Sequence, residues 1–552
     1  MEITNFIKLY EKSFRENWEL PALSDYVTGK TINYSELAIN IAKMHLLFNN
    51  MGIKPGAKIA ICGRDSMNWV MVYLATVTYG AVIVPILAEF NPHDVTHIVN
   101  HSEAELLFVS KSVWEPMEPD MLLNLKGVLS IEDFKCLEER PGFEMNRTLR
   151  LLTRRFRSLY PHGYRPENVC YIDRDNSEVV EINYTSGTTG FSKGVMLTGE
   201  NLAGNVCFGI DTQLHFRSSR ALAFLPMAHA YGCAFDMLTP MAVGSHVTIL
   251  GKIPSPRILI QAMNQVRPNL VICVPLILEK IYKNQILPMI SKGAVRWTLA
   301  VPFLDSFIFA KIRRKLVDAF GGNFEQVIVG GAPLNHEVEE FLHKIKFPFT
   351  VGYGMTECGP LISYTHWRKF IPGSSGRLLP DMEAMILSDD PENTPGEICV
   401  KGPNVMKGYY KNPQATEQVL DDKGWLKTGD MGTMTPDGTL FLRGRSKTMI
   451  LSASGQNIYP EEIEAKLNNM PFVAESLVVE RDGKLVALVY PDFDALDRLE
   501  VPVTDMDNTM ENIRKELNGL VAPYERISKI ILMPNEFQKT PKRSIKRFLY
   551  TR

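Results

Sequence analysis

At 552 residues the chain is too long for one ordinary hydrophobic core, so two or more domains are expected. Hydrophobic residues make up 45% and charged residues 22%, which excludes a disordered or fibrous chain and fits a soluble globular protein. A formal net charge of -2 argues against a dominant electrostatic partner such as nucleic acid. The N-terminal MEITNFIKLYEKSFRENW mixes charges throughout and has no apolar signal core, so no secretory leader is expected. Eight scattered cysteines, with no pair at metal-ligand spacing, fit a reducing cytosol.

Along the chain, KIAIC is the first short buried strand. Ser66 to Ala88 carries no charge and is long enough to cross a bilayer. Tyr79-Gly80 and Pro85 punctuate it, so it parses as a buried helix from about Trp69 to Tyr79 and a buried strand, AVIVPI. AELLFVS is a further strand. Asn146 to Tyr160, NRTLRLLTRRFRSLY, carries five arginines and no acid among leucines. It is either a solvated or domain-packed helix, or a basic amphipathic face that makes peripheral contact with a membrane. HVTIL, NLVICV and EQVIVG are strands, and HEVEEFLHKI is an amphipathic helix. This alternation predicts an α/β architecture with largely parallel sheets. After about Gly376 the texture changes to punctuated strands, GEICVKG and TLFLRGR, with a hairpin turn at Asp437-Gly438. A compact α+β tail follows: helix PEEIEAKLNNM, strands AESLVVE and KLVALVY, a helix from about Met510, and strand SKIILM. Its boundary is set near Gly444 to Lys447.

Five short segments carry chemistry. Thr185, Ser186, Gly187, Thr188, Thr189 and Gly190, with Lys193 and Gly194 behind them, follow the strand VVEIN and precede VML. The glycines free the backbone for an anion-cradling turn, the hydroxyls donate, and Lys193 supplies charge. Gly194 stands where a Walker loop has Ser or Thr, so this is not one; a plain polar hairpin loop is the alternative. Gly330-Gly331-Ala332-Pro333 ends the strand EQVIV, the place where open α/β sheets bind ligands. In Gly352 to Glu357, Tyr353 suits stacking on a base beside Gly354, Thr356 suits a phosphate oxygen, and Glu357 suits Mg²⁺; a structural turn is the alternative. Thr428-Gly429-Asp430 is expected to put a carboxylate in a loop, suited to paired ribose hydroxyls. Arg443, Arg445 and Lys447 supply cations at the domain junction, or are simply solvated.

The joint order TSGTTG…KG, GGAP, YGxTE, TGD, GRxK resembles the adenylate-forming superfamily of acyl-CoA synthetases, luciferases and peptide-synthetase adenylation domains, from about Lys8 to Arg547. The resemblance implies a large N-terminal AMP-binding domain (1–443) of largely parallel sheets flanked by helices, with a distorted β-barrel part. A hinge (444–447) and a small mobile α+β domain (448–552) would follow. It implies that Thr185 to Lys193 hold the ATP β- and γ-phosphates, Thr356 the α-phosphate and Glu357 magnesium. Asp430 would hold the ribose, and Arg445 the ribose or a phosphate. Ala332 and Pro333 would line the adenine pocket, Lys447 would be the pivot, and Gly455 would let the coenzyme A pantetheine arm pass close to the backbone.

Leu225 to Gly232, LPMAHAYG, matches the family position bordering the acyl carboxylate, with His229 as its gate; a packed core histidine is the alternative. VPLILEKIYK resembles long-chain fatty acyl-CoA synthetases, and Asp236 stands one residue off the amine anchor of amino-acid-activating domains. A medium- or long-chain fatty acid is therefore the expected substrate, with ATP and coenzyme A, in the cytoplasm. An acyl-AMP ligase that loads a carrier protein, an amino- or aryl-acid adenylating enzyme, and a nucleotide- and lipid-binding relative are the other readings. One departure stands out. The family's C-terminal lysine, which reaches the α-phosphate, aligns with Ser544. If the segment is extended, residues 542, 544 and 546 share a face, and Lys542 is favoured over Lys546 to fill the place.

Overall fold

A computed structural model describes residues 4–185, 193–290, 304–451, 456–498, 505–540 and 544–551. The chain divides into two compact units. The first comprises residues 1–185, 192–383 and 401–426; the second comprises 186–191, 384–400 and 427–552.

In the first unit an eight-stranded sheet runs in the order Gly408–Tyr409, Lys193–Thr198, Val179–Thr185, Val82–Ile86, Lys58–Cys62, Ala104–Val109, Gly127–Ser130, Cys136–Glu139. Its middle is parallel, and its two margins turn antiparallel. The strand Val82–Ile86 is buried at every position, which is why it is apolar throughout rather than alternating. The uncharged stretch from Ser66 resolves as expected into the helix Met67–Tyr79 and this strand. The Ser66 hydroxyl accepts from the Trp69 N–H at 3.1 Å to start the helix, and Gly80, at φ 88°, ends it. Among the described residues no helix is long and apolar enough to cross a membrane.

A second sheet places Arg220–Ala223, His246–Ile249, Pro21–Asp25 and Thr31–Asn33 side by side. A third is parallel throughout: Leu270–Cys273, Gln326–Val329 and Phe349–Val351. Its last two strands end at Gly330 and Gly352, so both glycine-rich segments emerge at the same sheet end. The basic segment is the helix Met145–Leu159, with Met145, Thr148 and Phe156 buried.

In the second unit Glu383–Leu387, Gly396–Lys401, Leu426–Met434 and Leu440–Arg445 form a four-stranded sheet. Among the described residues these strands do not close on themselves, which corrects the expectation of a distorted barrel; closing a sheet takes more strands than four. Asp437-Gly438 makes the anticipated hairpin turn, with Gly438 at φ 83°. Thr428-Gly429-Asp430 is not a loop: it lies inside the strand Leu426–Met434, where Asp430 faces Arg445 across the ladder. The tail packs the helices Pro460–Leu467 and Met506–Leu520 on a sheet of Val473–Arg481, Lys484–Pro491 and Lys529–Leu532. Ile463, Leu467, Val478, Val489, Ile513 and Leu517 form its core. The last helix starts at Met506, a turn before the apolar periodicity becomes visible at Met510.

Candidate active site

Lys193 opens its strand, and its Nζ sits 4.6 Å from the centroid of the Tyr409 ring. The Tyr409 hydroxyl donates to Glu357 Oε1 at 2.9 Å. Burial, then the Glu357 charge, pushes the Tyr409 phenol well up, so it stays a donor. Tyr409 reaches this place because Gly408–Tyr409 pairs with the strand that Lys193 begins, with Tyr409 opposite Val195. One phenol thus joins a cation and a carboxylate that are far apart in sequence.

Glu357 lies on a single 3-10 turn, Thr356–Cys358, closed by Gly359. Asn205 secures that turn from a buried helix. Its Nδ2 donates to the Cys358 carbonyl at 3.2 Å, and its Oδ1 accepts from the Leu361 N–H at 2.8 Å. Asn404 adds a bond from Nδ2 to the Leu361 carbonyl at 2.8 Å. Tyr353–Gly354 pairs with Leu361–Ser363, and a side chain at Gly354 would come within 2.3 Å of the Pro360 carbonyl. The Tyr353 ring is buried, whereas Gly331, Ala332 and Pro333 are exposed at their strand end.

The segment around His229 is held by half-buried Asp65 and by buried Asn183. Asp65 accepts from the Met227 N–H at 3.1 Å and 3.2 Å. Asn183 Nδ2 donates to the Ala228 carbonyl at 3.2 Å and to Glu181 Oε1 at 2.8 Å, and Glu181 also accepts from the Tyr73 hydroxyl. Asp236 is buried as well, and its Oδ2 has no hydrogen-bond partner among the described residues. Burial raises the Asp65 carboxyl to about 7 and pushes those of Glu181 and Asp236 up as well. Two residues beyond His229, the Tyr231 hydroxyl donates to the Ile328 carbonyl at 3.0 Å, and its ring would lie 3.1 Å from a side chain placed at Gly330. Tyr231 therefore packs the His229 segment beside the Gly330 turn.

In the second unit Arg445 Nε donates to Asp430 Oδ1 at 2.7 Å, with the Asp430 side chain buried and that of Arg445 59% exposed. The pair is cross-strand, so each holds the other's orientation. Lys447 is exposed, two residues on. At the C-terminus Lys539 bridges Ile545, and the Thr540 N–H donates to the Ser544 carbonyl at 2.8 Å. Ser186 to Gly190, Gly455 and Lys542 lie outside the described residues.

Among the described residues no cluster of three or more metal-ligating side chains occurs. A lone carboxylate such as Glu357 still suits Mg²⁺, which keeps most of its waters and takes one or two carboxylates with substrate phosphates. Sequence reasoning missed Tyr409, Asn205 and Asn404. The signal for Asn205 was a polar residue set in an apolar run; Asn404, between Pro403 and Val405, gave none.

The AMP-binding enzyme family matches residues 10–410. Long-chain-fatty-acid–CoA ligase FadD15 of Mycobacterium bovis is 28% identical, over 94% of this chain and 90% of the relative. 4-Coumarate–CoA ligase 1 of Arabidopsis thaliana is 26% identical, over 96% of this chain and 89% of the relative. The crystal structure of ATP-bound MatB from Rhodopseudomonas palustris superposes with a TM-score of 0.76 at 24% identity, covering 98% of both chains. That likeness establishes the fold, the adenylate-forming one.

Proposed function

As the chain belongs to the AMP-binding enzyme family, we propose that it is an ATP-dependent acid–coenzyme A ligase acting on a medium- or long-chain fatty acid. The reading rests above all on the Lys193–Tyr409–Glu357 line, a cation and a carboxylate fixed through one phenol. It is supported by relatives named as long-chain fatty acid–CoA ligases.

A carboxylate at neutral pH is a poor acyl donor, because its leaving group would be oxide. In the first half-reaction a carboxylate oxygen attacks the ATP α-phosphorus; an acyl–O–P bond forms, the bond to the β-phosphate bridging oxygen breaks, and pyrophosphate leaves. In the second, the coenzyme A sulfur attacks the acyl carbon, its thiol proton passes to solvent, and AMP leaves. Lys193 and the hydroxyl loop behind Thr185 offset charge on the β- and γ-phosphates, and Thr356 donates to the α-phosphate. Magnesium, when bound, adds Lewis-acid charge stabilisation there. Glu357, held by Tyr409, would anchor it. Asp430, oriented by Arg445, accepts the ribose hydroxyls, and Ala332 with Pro333 borders the adenine. His229, on the segment held by Asp65 and Asn183, borders the carboxylate. Lys447 is the pivot of the second domain, Gly455 passes the pantetheine arm, and Lys542 supplies the α-phosphate cation. All eight cysteines are free, which fits the cytoplasmic location we assign.

Pyrophosphate release over saturated acids of graded chain length and 4-coumarate, with and without coenzyme A, tests the reading. The expected optimum is a medium or long alkyl acid, with acyl-CoA formed only when coenzyme A is present. Release with 4-coumarate alone would replace the fatty acid by an aryl acid. Acyl-AMP that coenzyme A never consumes would mark a carrier-loading enzyme, and no release at all a binding protein.

A further inference from the structure

The proposed reaction needs Lys193 held in one place. The strand that Lys193 begins lies between two others, Val179–Thr185 on one side and Gly408–Tyr409 on the other. Thr185 pairs with Lys193, Tyr184 with Gly194, and Tyr409 with Val195. Opposed residues of an antiparallel pair share a face and successive residues alternate, so Thr185, Lys193 and Tyr409 fall on one face and Tyr184 and Gly194 on the other. A side chain at Gly194 would meet the Tyr184 ring at 3.0 Å, so glycine leaves room for that ring over the strand.

His101, in the last turn of the helix Pro92–Ser102, reaches this second face. Its Nδ1 and the Tyr184 hydroxyl are hydrogen-bonded at 2.7 Å. The same imidazole lies edge-on to two phenols, 5.8 Å from the Tyr184 ring and 5.8 Å from the Tyr410 ring, at interplanar angles of 85° and 83°. Tyr410 follows Tyr409, and its N–H donates to the Gly194 carbonyl at 2.7 Å. One histidine thus touches both neighbours of the Lys193 strand, on the face opposite Lys193. Glu103 ends the helix in the left-handed region, at φ 58°, where glycine is the usual residue. Its carboxylate accepts from the Tyr410 hydroxyl at 2.9 Å and meets Lys411 Nζ at 2.8 Å, with Lys58 Nζ 3.9 Å away. A side chain in that strained region serves to hold Tyr410. Lys411 also donates to the His101 carbonyl at 3.3 Å, and His97, one turn earlier, stacks on His101 with centroids 5.7 Å apart. Burial, then His97 and the Lys411 charge, holds the His101 imidazole below its ordinary range against the pull of Glu103, so a neutral ring meets Tyr184.

We propose that His101 is a positioning residue for adenylation: bonded to Tyr184 and wedged against Tyr410, it fixes the Lys193 strand between its neighbours and so sets where the Lys193 ammonium meets ATP. This role rests on the reading of Lys193 as the cation for the β- and γ-phosphates. His101 itself touches no reacting atom.

Calorimetric titration of the full chain with ATP and with AMP, both with Mg²⁺ and without acid, tests it. His101→Phe keeps an aromatic ring against the two phenols and removes the bond; Tyr184→Phe removes the same bond from the other side. Each should weaken ATP binding by roughly three- to tenfold, the scale of one lost neutral hydrogen bond. AMP binding should weaken less, because AMP lacks the phosphates that Lys193 meets. The double variant should be no weaker than either single one, since both remove one interaction. His101→Asn, whose amide reaches the position of Nδ1, should retain most of the ATP affinity. Wild-type ATP affinity in His101→Phe, additive losses in the double variant, or equal losses in His101→Phe and His101→Asn would each overturn the proposal. Equal weakening of ATP and AMP would overturn it in favour of a general loosening of the fold. Failure of the underlying reading is separately visible: Lys193→Ala would then bind ATP as wild type does, and the role of His101 would fall with it.

Discussion

Tyr409 gives one ring to Lys193 and one hydroxyl to Glu357, and two substitutions separate these roles. Tyr409→Phe keeps the ring under the ammonium and removes only the O–H. A hydrogen bond to a charged group contributes about 1.5–3 kcal/mol, so pyrophosphate release should fall roughly tenfold or more at limiting Mg²⁺ and recover at high Mg²⁺. Lys193→Ala and Glu357→Ala should each cut release by about 10² or more, the scale of losing one aimed charge, with no recovery. Unchanged release in both alanine variants would mean the chemistry lies elsewhere. Glu339 makes a separate residue-scale case. It is buried, accepts from the Gly373 N–H at 2.9 Å, and burial raises its carboxyl to about 7. The folded state therefore holds this proton more tightly than the unfolded chain, whose value is near 4.5. Its contribution to stability is complete below about pH 4.5 and is lost as pH rises through about 7. Glu339→Gln abolishes the titration while its carbonyl can still accept from Gly373. The melting temperature of the variant should gain on wild type between about pH 5 and about pH 8, reflecting up to about 3 kcal/mol. A gap that stays flat with pH would show that Glu339 does not titrate in that window.

Among the elements, the C-terminal bridge of Lys539 with Ile545 carries the sharpest expectation. Ser544 is exposed, and its backbone carbonyl accepts from the Thr540 N–H. A lysine there costs the fold little and adds a cation on a long stem. We expect wild type to adenylate slowly, Ser544→Lys to accelerate pyrophosphate release without speeding thioester formation from preformed acyl-AMP, and Lys542→Ala to slow release. Silence of Ser544→Lys, Lys542→Ala and Lys546→Ala together would leave adenylation with no lysine from this tail. Elements were legible where burial wrote them into the sequence. KIAIC, AVIVPI and EQVIVG were legible as strands because buried parallel strands are apolar at nearly every position, the polar Lys58 and Gln326 standing only at a strand's first residue. Thr428 to Asp430 was illegible because glycine and polar residues signal a turn, yet the ladder with Leu440–Arg445 continues through them. Met506 to Thr509 likewise starts a helix ahead of its apolar stripe.

At the scale of the whole molecule, the proposed reaction has two steps that make different demands, and Lys447 is the residue on which we place the change between them. It is exposed, and the Thr448 and Met449 N–H groups, not its own, donate to the Arg445 carbonyl at 3.2 Å and 3.1 Å. Proline at 447 would therefore restrict φ while leaving those bonds in place. Lys447→Pro should slow acyl transfer to coenzyme A at least tenfold while pyrophosphate release stays within a few-fold, an order-of-magnitude expectation for a conformational step. Equal losses in both steps would remove Lys447 from the role of pivot.

The sequence by itself determined the α/β alternation, the hairpin at Asp437-Gly438, the compact tail and the order of five motifs. These depend on local periodicity and on backbone freedom within a few residues. Tertiary structure alone decided that Tyr409 lies between Lys193 and Glu357, that Asn205 and Asn404 hold the Glu357 turn, and that Asp65 and Asn183 hold the His229 segment. It also decided which side of the arginine helix faces outward. These are pairings between residues far apart in the chain. Strand order and register bring them together, and no local pattern encodes which distant hydroxyl or amide arrives.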